Sequence, residues 1–85
     1  MYPSDMSEQE RIETQNVFKG FLTEFQNVKF YNELPTRTHH RIQRALAMES
    51  VSDTVLQQYL IHTDTYTESE RLSVHALYFV AMLPG

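Results

Sequence analysis

Arg37, His40, Arg41 and Arg44 recur at intervals of three and four residues, a spacing that places them on one face of any helix covering that stretch. Guanidinium forks in such a row suit the carboxylates of an acidic partner or the phosphates of a nucleic acid, and these four are the candidate contacts for either. The histidines His39, His40, His62 and His75 are the other residues with chemistry to offer. His39 and His40 point about 100° apart on a helix. No HExxH or two-histidine-plus-carboxylate spacing supports them, and the chain has no cysteine, so no metal site is expected. Catalysis needs a nucleophile beside a base, or two carboxylates in unlike environments. The acids here fall at helix caps and on polar faces, and there is no glycine-rich loop. Neither enzyme activity nor a cofactor is expected.

Composition narrows the classes further. Eighty-five residues, 41% hydrophobic and 21% charged, describe one globular domain over 1–85, with the polar stretch 1–6 expected as a flexible tail. A core of this size buries a modest share of the chain's surface, so association with another subunit would add stability. The absence of cysteine fits a reducing compartment, and no apolar signal core opens the chain; a cytoplasmic protein that does not enter a membrane is expected. The net charge of −4 is unevenly spread. Residues 1–34 hold six acids and three bases, residues 35–50 three arginines against Glu49, and residues 51–85 four acids against Arg71. A basic island therefore lies between acidic flanks, and overall acidity opposes nonspecific nucleic-acid binding while leaving room for a local basic contact.

The elements that must position these groups are helical. Ser7 with Glu10 forms a capping-box spacing, followed by Thr14, Val17, Phe18, Phe21, Leu22, Phe25 and Val28 on one arc, which predicts a helix over about 7–29 with Phe18, Phe21 and Phe25 as the aromatic wall of a core. Pro35 breaks the pattern. Thr36 or Thr38 then caps a second helix over about 36–48, with Ile42, Ala45 and Leu46 inward and the arginine face outward. Ser50 or Ser52 caps a third, about 52–62, with Val51, Val55, Leu56, Tyr59 and Leu60 on one side. The polar run His62 to Thr67 reads as a loop, and Thr67 with Glu70 repeats the capping box before a fourth helix over about 67–83. No strand-like alternation and no repeat is present. The expected fold is all-α, a compact bundle of four short helices with the last one most buried.

Residues Arg44 to Leu60 faintly resemble the helix-turn-helix pattern, but Glu49 stands at the turn place usually given to glycine and Ser50 where an apolar residue would be expected. Asp53, Thr54, Gln57 and Gln58 give the presumed reading helix no basic residue, which argues against DNA binding by that element. The last helix is the more telling segment. Leu72 to Leu83 carries no charge and is apolar on two sides. Leu72, Ala76, Phe79, Val80 and Leu83 suit a core, while Val74, Leu77, Tyr78, Ala81 and Met82 form a second face that wants a partner. The sequence thus leads to a small, acidic, non-enzymatic protein-binding protein. As an inhibitor, adaptor or regulatory subunit, it is expected to act as a homodimer or in a complex through this second face. The alternative is a small nucleic-acid-associated transcriptional regulator that uses the Arg37 to Arg44 stripe.

Overall fold

Local capping sets where most of the helices start. The computed structural model describes residues 7–83; the tail expected over 1–6 lies outside them. Helix α1, Glu8–Phe25, begins at Ser7, whose hydroxyl accepts from the Glu10 N–H at 3.2 Å while the Glu10 carboxylate accepts from the Ser7 N–H at 3.1 Å. Two N–H groups that no helical carbonyl reaches are satisfied in this way. The helix stops at Phe25 and not at 29. A separate 3-10 helix, Lys29–Glu33, follows, and it folds Tyr31 into the core. Helix α2, Thr36–Ala47, has Pro35 at its cap position, so neither Thr36 nor Thr38 caps it. Proline's fixed φ sets the chain direction there in place of a side-chain bond. Helix α3, Asp53–Thr65, is capped by Ser52, which accepts from the Val55 N–H at 3.4 Å.

Two further boundaries depart from expectation. The polar run from His62 is helical as far as Thr65, because Thr63 and Thr65 donate their hydroxyls back to the carbonyls of Tyr59 and Ile61 and so consume their own hydrogen-bonding capacity inside the helix. The last helix, in turn, is two. Thr67 caps the one-turn α4, Glu68–Arg71, with a full capping box; α5, Val74–Met82, starts afresh after Leu72 and Ser73. At the break the Ser73 N–H and hydroxyl both donate to the Glu70 carbonyl, at 3.2 and 2.6 Å, which ends the helical ladder.

Four helices of seven or more residues and one short one make an all-α bundle among the described residues. Helix α1 packs against α2 and α3, and α5 packs against α2, α3 and α4. The core is one cluster. At its centre Phe18, Phe21, Tyr59 and Phe79 meet pairwise with ring centroids 5.3 to 6.2 Å apart, most of them edge to face. Such contacts add to the burial of each ring, itself worth about 1.5–3 kcal/mol. Ile42 and Ala45 seal the core from α2, Val51 from the α2–α3 connection, and Val55 and Leu56 from α3. Ala76, Phe79 and Val80 give α5 three buried side chains in nine residues, a larger share than any other helix of the bundle. Val17, expected inward, is 57% exposed.

Candidate functional site

The basic face of α2 follows from the helix itself. With Ile42 and Ala45 turned into the core, the intervals of three and four residues carry Arg37, His40, Arg41 and Arg44 to the other side. Arg37, His40 and Arg44 are exposed and Arg41 is half-buried. Together with Gln43 and Ala47 they line a groove of about 470 Å³. None of the four basic side chains has a hydrogen bond or ion pair to any described residue, which the fate of the other cations makes meaningful. Of the seven lysines and arginines, Arg11 pairs with Asp53 at 2.8 Å, Lys19 donates to the Met48 carbonyl and Arg71 to the Tyr66 carbonyl. Lys29 and the three α2 arginines remain. The cations with no internal partner are thus concentrated on one helix face.

The second face of α5 is partly open. Leu77 and Met82 are half-buried and pack against the core cluster, whereas Tyr78, 48% exposed, and Ala81 face solvent. The side chain of Val74 lies outside the described residues. Tyr78 is itself positioned: its ring stacks on His62 at 5.3 Å and its hydroxyl lies 3.4 Å from Gln58 Oε1. Because α2 and α5 pack together, the basic face and the uncharged face belong to neighbouring helices.

Three of the histidines, His39, His62 and His75, serve the packing, while His40 stays on the basic face. His39 donates from Nε2 to the Tyr31 carbonyl at 2.8 Å and stacks on that ring at 4.3 Å, tying the 3-10 helix to α2. His62 donates from Nδ1 to the Gln58 carbonyl at 3.0 Å. Its ring is part of an aromatic cluster with Tyr66, His75, Tyr78 and Phe79. Among the described residues no three His, Asp or Glu side chains come together to hold a metal ion, and no helix is long and apolar enough to cross a membrane.

One constellation has no counterpart in the sequence reading. Arg11, Gln15 and Lys19, spaced by four on α1, reach across to the α2–α3 connection. Arg11 bonds Ser50 Oγ and the Val51 carbonyl besides Asp53. Gln15 bonds the Glu49 carbonyl and the Val51 N–H, and Lys19 the Met48 carbonyl. This ladder spends two cations on structure, which is why the remaining ones stand out. Comparison with protein-family models, curated proteins and solved structures returns no match to this chain.

Proposed function

We propose that the chain is a small acidic protein-binding protein without enzymatic activity, an inhibitor, adaptor or regulatory subunit, acting in the cytoplasm as a homodimer or within a complex through α5. The supporting observation is that a helix with no charged residue fills the core with Ala76, Phe79 and Val80 and still turns Tyr78 and Ala81 to solvent. Tyrosine offers a large, rigid contact area with a polar tip, as binding hot spots do, and the missing charge lowers the cost of drying the face. The mechanism is occupancy of a partner's surface, with the α2 arginines orienting an acidic patch on it.

Sedimentation over a concentration series tests this reading with a Tyr78→Glu variant, chosen because Leu77 contributes to the core and Tyr78 does not. A dimer converted to a folded monomer supports α5 as the interface. A chain that stays monomeric, and whose variant captures the same cellular partners as the unaltered protein, removes it. The partnerless arginines favour a second reading, contact with nucleic acid. A salt-sensitive band shift abolished by Arg41→Glu with Arg44→Glu supports it, and no binding at low salt removes it.

A further inference from the structure

We propose that a second copy of this chain seats its α2 basic face in a groove between α1 and the α3–α4 end of the first, so that copies associate head to tail. The groove consists of two adjoining hollows, of about 500 and 250 Å³, that share Val17, Tyr59 and Arg71. Its floor is apolar, made of Phe21 and Tyr59 with the outward Val17 beside them. It is open at Gly20, where an added methyl group would touch nothing within 4 Å. Glu13, Glu24 and Glu68 line it. The carboxylates of Glu24 and Glu68 have no hydrogen bond or ion pair to a described residue, and that of Glu13 only accepts from Gln9 at 2.9 Å. The Arg71 Nε in the same wall is buried and has no acceptor, a condition that an incoming polar group would relieve.

The occupant follows from charge. Three glutamates, two of them wholly unpaired, face a hollow on one side of the molecule, and three arginines without an internal partner line a groove on α2. Glu13 and Glu24 lie about 16 Å apart along α1, and Arg37 to Arg44 span about 10 Å of α2, a difference that arginine's long side chain covers. The aliphatic stems of those arginines and the Ala47 methyl would lie over the apolar floor. Gln43, between the arginines, carries an amide oxygen of the kind that Arg71 Nε lacks. Because the two surfaces are different patches, the contact is heterologous and leaves one of each free at the ends of any assembly that does not close into a ring. It is independent of the proposed role of Tyr78.

Sedimentation at about 0.05 M and about 0.5 M salt tests the idea, since exposed pairs are screened at the higher value. In a Tyr78→Glu background, which silences α5 and in which the variants below are also made, the chain is expected to grow past a dimer with concentration at low salt and to revert to the 10.0 kDa monomer at high salt. Gly20→Trp, which plugs the groove, and Arg41→Glu with Arg44→Glu, which removes the occupant, are each expected to be monomeric with an unchanged circular dichroism spectrum. Mixed in equal amounts they are expected to form a dimer and nothing larger, because one retains a working face and the other a working groove. Glu24→Arg replaces Gly20→Trp should the tryptophan impair folding. A chain that is monomeric at low salt in that background, or a mixture that stays monomeric, overturns the proposal. So does association of the unaltered chain that survives Gly20→Trp alone and is lost in Tyr78→Glu, which assigns the contact to α5.

Discussion

Replacing Gln15 with alanine measures how firmly α1 holds the α2–α3 connection. The Gln15 amide donates to the Glu49 carbonyl at 2.6 Å and accepts from the Val51 N–H at 2.7 Å. The two bonds are unequal. Glu49 is exposed, so water takes over the lost donor and the net change there is about 0.5 kcal/mol. Val51 is 1% exposed, and its N–H, left without an acceptor, carries a desolvation cost of about 1–3 kcal/mol. Alanine's better helix propensity returns a few tenths. The balance is a loss of about 2 kcal/mol. In a domain of this size each kcal/mol moves Tm by about 4–8 °C, so the melt is expected to fall by about 8–16 °C. Gln15→Glu retains the acceptor for the Val51 N–H and loses only the donor, and its melt is expected between the two. Thermal melts followed by far-ultraviolet circular dichroism decide the matter. A Gln15→Ala melt within about 2 °C of the unaltered chain, or a Gln15→Glu variant as damaged as the alanine one, refutes the reasoning.

Phe79, fully buried against Phe18, Phe21 and Tyr59, is the keystone of the core. Phe79→Ala is expected to cost about 3–5 kcal/mol, most of the stability of a domain this small, and to abolish a cooperative melt, whereas Phe79→Leu retains one. Gly20→Ala, on a helix with room for the methyl group, is expected to stabilise by about 0.5–1 kcal/mol, seen as a rise in urea midpoint with an unchanged slope. The Glu70 carboxyl is held below the ordinary carboxylate range, first by the Thr67 N–H and then by the Thr67 hydroxyl. A depressed folded value means stability that is present above the unfolded pKa of about 4.3 and lost as pH falls through the folded one. Glu70→Gln is therefore expected to flatten the fall of Tm between pH about 6 and about 3, and an unchanged acid slope would count against the capping box as its source.

The parts of the fold that were legible are those with a local cause. Ser7 with Glu10 and Thr67 with Glu70 mark helix starts because both partners of a capping box lie three residues apart in the chain. Phe18, Phe21 and Phe25 mark a buried stripe because helical periodicity is local as well. The break at Leu72 and Ser73 is hidden, since the uncharged run from Leu72 to Leu83 passes through it and its cause is Ser73 turning its N–H and hydroxyl back to the Glu70 carbonyl. Val17 belongs to the apolar arc by angle. It ends outside because periodicity gives the width of a stripe and not where the neighbouring helices stop. For the candidate site, the shared face of Arg37, His40, Arg41 and Arg44 could be read from spacing. That no internal acid answers it could not, because that depends on which acids the bundle brings near. Leu77 and Met82 flank Tyr78 on one broad face of the wheel, yet the core claims part of each. The ladder of Arg11, Gln15 and Lys19 has no signature in the sequence, because its acceptors are mostly backbone atoms, which leave no mark in a side-chain pattern.

Surface connections usually accept extra residues, which is why they are the customary places for grafts and epitope tags. The stretch from Met48 to Ser52 has the outward form of one. Yet α1 meets it with three side chains one helical turn apart, a ruler with marks about 6 Å apart, and backbone groups of Met48, Glu49 and Val51 are read against those marks. One inserted residue moves every group beyond it off its mark. The turn at 26–28, whose backbone N–H groups bond only to neighbours in the chain, has no such gauge. It is the place where this protein can be lengthened, labelled or joined to another.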